Sequence, residues 1–246
     1  MPEKFFEPGK GRAARVSQLF GRIAPRYDLF NDLQSFGLHR HWKRKVIRLA
    51  DAHPGARALD LCCGTGDLAF GLAARGAQVV GLDFSEPMLR VAERRRSRLE
   101  TSPTPGNACF VLGDAQRLAL PENSFEIVTI GYGLRNLPSW EAGLIEMNRV
   151  LAPGGRLIVL EFGKPENPIW RALYFGYLKL FVPILGLTLC GSAGAYAYIL
   201  ESLQHYPAQQ VIARRMEALG LTQVRVFNLL GGAMSIHYGE KPAHRQ

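Results

Sequence analysis

Asp60, Gly64, Gly66 and Asp67 have the types and spacing of a small-molecule cradle. They stand in the run Asp60-Leu61-Cys62-Cys63-Gly64-Thr65-Gly66-Asp67, where an apolar stretch breaks into Gly-x-Gly. Glycines at such a turn let the backbone approach a nucleotide-like ligand closely. Gly64-Thr65-Gly66-Asp67-Leu68-Ala69 also fits the G-x-G-x-x-A dinucleotide pattern, which alone is weakly specific. Charge separates the alternatives. A dinucleotide sets its pyrophosphate at the helix N-terminus, where the dipole favours anions. Asp67 in that first turn and Asp60 just below the loop would repel a phosphate. They suit S-adenosylmethionine, which carries an ammonium, a sulfonium and no phosphate. Helix capping would also account for Asp67.

Two further acids follow apolar runs. Asp83 closes Gly81-Leu82-Asp83-Phe84, where a carboxylate accepts from both ribose hydroxyls. Asp114, in Gly113-Asp114-Ala115, is placed to accept from an adenine amino group. Thr65, Phe84 and Ala115 complete the expected cofactor contacts beside them.

Elements must bring these residues to one edge. Apolar runs at Ala56–Cys63, Gln78–Phe84, Ala108–Leu112, Phe125–Ile130 and Arg156–Phe162 read as buried strands. Asp67–Arg75, Glu86–Glu100 and Ser139–Leu151 read as helices between them, with Thr101–Asn107 a loop. Ser139 is a helix start, and Pro153-Gly154-Gly155 a stop before the next strand. After Phe162 the regularity breaks for about forty residues, as an insertion would. It resumes with a helix over Ala208–Leu219 and strands over Gln223–Leu230 and Ala233–Gly239, joined by Gly231-Gly232 as an antiparallel hairpin. The expectation is an α/β, Rossmann-like fold with a seven-stranded, mainly parallel sheet. One domain should span 1–246: a basic helical arm (1–50), a cofactor-binding core (51–163), an apolar substrate or lid insertion (164–206), and a C-terminal helix and hairpin (207–241). In the arm, Trp42, Val46, Leu49 and Ala50 share one helical face while Arg40, Lys43, Arg44 and Arg48 cover the rest.

The 246 residues suffice for one sizeable core, and 47% hydrophobic with 21% charged residues excludes wholesale disorder. The net charge of +9 is concentrated early. Up to Arg48, eleven Lys/Arg (Lys4, Lys10, Arg12, Arg15, Arg22, Arg26, Arg40, Lys43, Arg44, Lys45, Arg48) face four acids, an excess of seven. Such a patch attracts nucleic acid or an anionic membrane. Cys62, Cys63, Cys109 and Cys190 form no C-x-x-C pair, which argues against disulfides or zinc and for a reducing cytosol. No secretory leader is expected, since the apolar pair Phe5-Phe6 stops at once. Leu180–Leu200 carries no charge over 21 positions, but Pro183, Gly186, Gly191, Ser192 and Gly194 interrupt it. A lid, or a surface dipping into a bilayer, is expected there rather than a membrane-crossing helix.

The order of glycine loop, acid, Asp-Ala and terminal hairpin resembles a class I S-adenosylmethionine-dependent methyltransferase. Tyr27-Asp28-Leu29-Phe30-Asn31-Asp32-Leu33, Ser35-Phe36-Gly37-Leu38-His39-Arg40-His41-Trp42-Lys43-Arg44 and Gly133-Leu134-Arg135-Asn136 resemble the UbiE/MenG family of quinone-biosynthesis C-methyltransferases. So do Leu151-Ala152-Pro153-Gly154-Gly155-Arg156-Leu157, leading to Glu161-Phe162, and Tyr198-Ile199-Leu200-Glu201-Ser202-Leu203. The likeness runs from about Phe20 to Lys241. Its glycine loop and Gly81-Leu82-Asp83-Phe84-Ser85 look most like the phototroph branch acting on phytylated or related quinols.

The resemblance implies methyl transfer to a ring carbon of a prenylated, demethylmenaquinol-type quinol, in menaquinone, ubiquinone or phylloquinone biosynthesis. It implies Arg135, at the crevice mouth, as the residue that steadies a phenolate or positions a proton-accepting water, with Asn136 orienting water or substrate. Tyr27 and Asn31 would close over the ligand, and Gly131 would contact the cofactor through its backbone. His39, His41, His205 and His237 are bases by chemistry. No metal ligand cluster is visible. Cytoplasmic protein resting on the inner, anionic membrane face, with no nucleic-acid partner, is expected, and a homodimer is left open. A phenol O-methyltransferase and an RNA methyltransferase are the alternatives; in place of the Asn/Asp-Pro-Pro-aromatic of base-amino methylases stands Gly131-Tyr132-Gly133-Leu134.

Overall fold

The computed structural model describes residues 20, 21, 23–99, 107–190 and 194–243. Phe5, Phe6, the early basic residues Lys4, Lys10, Arg12, Arg15 and Arg22, residues 101–106 of the expected loop, and Gly191 and Ser192 lie outside them.

Seven strands make one sheet: β1 (Arg57–Leu61), β2 (Gln78–Asp83), β3 (Asn107–Leu112), β4 (Phe125–Gly131), β5 (Leu151–Phe162), β6 (Thr222–Leu229) and β7 (Met234–Glu240). Their order is β3-β2-β1-β4-β5-β7-β6. β1 to β5 are parallel, and β7 inserts antiparallel between β5 and β6. Sheet growth reverses between β1 and β4, which opens a ligand crevice at their carboxyl ends. Helices cover both faces: α1 (Tyr27–Gln34), α2 (Leu38–Ala50), α3 (Asp67–Ala73), α4 (Glu86–Leu99), α5 (Trp140–Val150), α6 (Pro168–Cys190), α7 (Gly194–His205) and α8 (Gln209–Ala218). One core layer joins Trp42, Val46 and Leu72 to Ile158 and Ile236; the other joins Leu59 and Val128 to Leu144, Met147 and Ile212. Strands buried on both faces need continuous apolar runs, which is why periodicity revealed them. Ser139 caps α5 as expected, its Oγ accepting from Ala142 N–H at 3.1 Å.

Several expectations are corrected. β1 stops at Leu61 because Cys62 takes φ +50° and turns the chain. Pro153-Gly154-Gly155 does not precede β5 but lies within it. Leu151 pairs with Phe125 and Arg156 with Ile127, so the intervening residues bulge out. Gly154 takes φ +77° there, and its N–H donates to Lys241 O at 2.8 Å. The irregular insertion is two helices, α6 and α7. Pro183 and Gly186 are carried inside α6, whose inner residues Tyr174, Leu178 and Val182 anchor it to the core. No helix among the described residues is long and apolar enough to cross a membrane. Lys43, expected among the exposed residues of α2, is buried.

Candidate active site

The first turn of the crevice is built by backbone. After β1, Gly64 (φ +56°) and Gly66 (φ +88°) take left-handed conformations that side chains resist. A Cβ on Gly66 would come within 2.8 Å of Phe70 and 2.9 Å of Phe110, so the close approach requires glycine.

Asp60 is 1% exposed, and its Oδ1 accepts from Thr129 Oγ1 at 2.8 Å. Oδ2 is buried without a hydrogen-bond partner among the described residues. Burial raises the Asp60 pKa to about 7, against the pull of Thr129, the Ala69 N–H and Lys43. An unpaired buried carboxylate oxygen beside a glycine turn fits an ammonium. Asp83 is also buried: Oδ2 accepts from Gly64 N–H and Oδ1 from Ser85 N–H, each at 2.8 Å. It locks the glycine turn onto the end of β2, and Phe84 beside it is half-buried. Asp114 is exposed beyond β3, its Oδ1 accepting from Gln116 N–H at 2.9 Å, while Ala115 is buried.

Asp67 departs from expectation. Its carboxylate is gripped by Lys43 Nζ at 2.7 Å and Arg95 Nη2 at 2.7 Å. Burial alone would raise its pKa, but the two cations hold it well below the usual range. Its charge is therefore spent within the protein, and the case for a cationic ligand rests on Asp60. The same knot binds the arm to the loop. Thr65 Oγ1 donates to Asp28 Oδ1 at 2.8 Å, and Arg95 Nη1 reaches Asp28 Oδ2 and Thr65 O. Such pairs join residues far apart in the chain, so spacing carried no sign of them.

A cavity of about 30 Å³ lies under this knot, lined by Tyr27, Lys43, Asp60, Gly64, Thr65, Gly131 and Tyr132 among others. Burial pushes the Tyr27 phenol up to about 12, so it stays protonated. Asp83, Phe84, Asp114 and Ala115 stand along the neighbouring strand ends rather than in this cavity.

Tyr132 was not singled out by sequence, yet it lines a second cavity as well. This one measures about 260 Å³ and is walled by Phe36, Leu38, Trp42, Phe162, Trp170, Leu173, Tyr174 and Leu178 among others, with Asn31, Gln34, Ser35 and His39 as polar members. Tyr132 sits between two glycines at φ +61°, a conformation rare outside glycine and common at functional sites. Arg135 and Asn136 hold it there: Arg135 Nη1 and Asn136 Nδ2 both donate to Tyr132 O, at 2.7 and 3.1 Å. Arg135 is thus not at the crevice mouth. The 3₁₀ turn Leu134–Asn136 folds it inward to 5% exposure. There Nη1 meets Glu161 Oε1 at 2.5 Å and the guanidinium lies 4.5 Å from the Phe162 ring centroid. Glu161 could have been suspected from its place in a buried apolar strand, where a carboxylate needs a partner.

Of the histidines, His39 is buried at the second cavity, with Nε2 2.8 Å from Asp32 Oδ1. His237 is buried in β7, its Nε2 3.0 Å from Gln209 O, and burial lowers its pKa to about 4. His205 Nδ1 lies 2.9 Å from Glu201 O on α7, and His41 is exposed.

The ubiE/COQ5 methyltransferase family model matches residues 9–241. The chain belongs to the ubiE/COQ5 methyltransferase family. It is 41% identical over 237 residues to the demethylmenaquinone methyltransferase of Desulfitobacterium hafniense strain Y51, covering 95% of this chain and 92% of that one. It is equally 41% identical over 238 residues to the ubiquinone/menaquinone biosynthesis C-methyltransferase UbiE of Ectopseudomonas mendocina strain ymp, covering 96% and 92%. Among solved structures, a S-adenosylmethionine-dependent methyltransferase of Thermotoga maritima, described as a histamine N-methyltransferase candidate, superposes with TM-score 0.60 at 17% identity, covering 91% of this chain and 99% of that one. That likeness carries the fold. Membership in the ubiE/COQ5 family makes the chain an enzyme, a methyltransferase.

Proposed function

We propose that the chain methylates a ring carbon of a reduced, prenylated quinol in menaquinone or ubiquinone biosynthesis, with S-adenosylmethionine as methyl donor. The observation that carries this is the meeting of two unlike cavities at Tyr132: a polar one under the glycine turn and an apolar one walled by aromatics. Asp60 would hold the donor's ammonium, Asp83 its ribose and Asp114 its adenine. Thr65, the backbone of Gly64, Gly66 and Gly131, and Phe84 and Ala115 complete that set. The donor supplies an electrophilic methyl on a sulfonium.

The rest falls to the protein's own residues. A quinol carbon becomes nucleophilic when a neighbouring hydroxyl loses its proton, so the site must favour a phenolate and bring carbon and methyl to about 3–3.5 Å. Arg135 cannot act as a base. Its fixed positive charge is felt at Tyr27 and Tyr132, where it favours the deprotonated phenol, and a substrate phenolate there would gain the same stabilisation. Asn136 and Arg135 together set the Tyr132 carbonyl, and Tyr27 closes the donor cavity.

A prenylated substrate resides in a bilayer. α6 presents Ile169, Leu173, Leu180, Ile184 and Leu187 as one exposed stripe, opposite its buried face. Phe36, 76% exposed at the cavity wall, stacks on Phe181 at 6.4 Å between ring centroids. A helix apolar on both sides needs cover. We infer that this surface rests on the cytoplasmic membrane face, admitting the tail between α1 and α6, with the whole chain working as one unit.

The test supplies isotopically labelled donor with demethylmenaquinol, a demethylated benzoquinol and a catechol. Label in the quinols and not as a catechol ether supports the reading. Ether product, or none with quinol, contradicts it.

A further inference from the structure

His39 lies in the first turn of α2, its side chain 4% exposed, in the wall of the 260 Å³ cavity that also holds Tyr132. Its Nε2 is 2.8 Å from Asp32 Oδ1. A carboxylate only accepts, so Nε2 carries the hydrogen and the lone pair falls on Nδ1. Nδ1 is buried and has no hydrogen-bond partner among the described residues. A buried acceptor left unpaired, on a side chain in the wall of a largely apolar cavity, points to a ligand that donates a proton or a hydrogen bond. Asp32 is itself clamped by Arg40, through Nε at 2.7 Å and Nη2 at 2.5 Å, which fixes its orientation.

We propose that His39 accepts the quinol hydroxyl proton at Nδ1, while Asp32 holds Nε2–H and fixes the tautomer. The proposal rests on the quinol reading above and names the proton acceptor that reading requires. The quinol O–H bond breaks and an Nδ1–H bond forms, leaving a phenolate. Its neighbouring ring carbon takes the methyl as the donor's C–S bond breaks with its electron pair going to sulfur. That carbon then bears both methyl and hydrogen beside a carbonyl. Loss of the ring hydrogen to water as a proton, with return of the His39 proton to the oxygen, restores the aromatic quinol. One proton is released for each sulfonium charge consumed.

The surroundings suit this role. Burial, then the charge of Lys43, holds the His39 pKa below 6.5, while Asp32 and Asp67 pull the other way. The imidazole is therefore neutral at pH 7 and free to receive. Arg95 lines the groove on its other side, and the Tyr132 and Tyr174 phenols, both kept protonated by burial, line the cavity. Asp32 acts only through His39 and is a positioning residue.

The experiment uses the full chain with His39→Gln, His39→Gly and Asp32→Asn variants, reduced demethylmenaquinol and labelled donor. The expected loss for His39→Gln is about 10²–10⁴-fold in kcat, with donor affinity by calorimetry unchanged. Added imidazole should restore turnover to His39→Gly in proportion to its concentration. Asp32→Asn should lower kcat with little change in KM. Histidine ¹⁵N spectra of the unaltered protein at pH 7 should show His39 protonated at Nε2 and bare at Nδ1, a readout that holds even if the variants fail to fold. A donor-binding His39→Gln protein with full kcat, or a protonated Nδ1, would overturn the proposal alone. Absence of transfer from every quinol by the unaltered protein would overturn the quinol reading, and this step with it.

Discussion

At the scale of single residues, the site is a set of buried charges with unequal partners. Asp60 is the one whose charge state lies near neutrality, with burial holding its pKa at about 7. Its folded pKa is raised, so the group opposes folding as pH rises from about 4 to 7. Binding a cation reverses the preference, because the ammonium favours the carboxylate. Donor affinity should therefore climb by up to about tenfold per pH unit below 7 and level above it. Calorimetric titration across that range checks this, and Asp60→Asn should bind weakly with a flat profile. Arg135 and Glu161 are a different case, since both are buried and each compensates the other. Glu161→Ala leaves a buried guanidinium exposed to its own desolvation cost, about 3–5 kcal/mol of stability. Thermal unfolding should fall by roughly 6–20 °C; an unchanged midpoint would show that Arg135 finds another partner.

At the scale of elements, what could be read from the sequence was what repeats. Asp60, Asp83 and Asp114 were legible as strand-end residues because each closes or follows an apolar run, and a parallel sheet brings all its carboxyl ends to one edge; Gly131 came only from the family resemblance. Lys43, Arg95 and Glu161 were not, because their partners lie 24, 28 and 26 positions away and belong to other elements. Tyr132 carried a signal that went unused, a bulky residue between two glycines after a strand. α6 was hidden by Pro183 and Gly186, which break most exposed helices, whereas here Tyr174, Leu178 and Val182 fasten the helix by tertiary packing. That packing gives α6 an expected role in tail recognition. Leu178→Trp would fill the apolar cavity and should raise KM for a long-tailed quinol by roughly tenfold or more, leaving donor affinity unchanged. Steady-state kinetics with long- and short-tailed quinols distinguishes this from general damage, which would move both.

For the whole molecule, the larger cavity of the candidate site and the exposed apolar stripe of α6 share Leu173. The exposed stripe of α6 and Phe36 at the cavity wall predict adsorption to anionic vesicles. The triple variant Phe36→Glu, Leu173→Glu, Ile184→Glu should lose more than about 100-fold in vesicle affinity, since each large apolar side chain contributes about 1.5–3 kcal/mol when buried. Vesicle sedimentation reads this directly, and equal binding by the variant would remove the proposed surface from the account. The proposed reaction is carbon methylation of a reduced ring. Its most direct measurement is mass spectrometry and NMR of the product formed from labelled S-adenosylmethionine with demethylmenaquinol and, in parallel, the oxidised quinone. Label is expected on the ring carbon of the reduced form, and none from the oxidised form. Label on oxygen, or equal label in both, would contradict it.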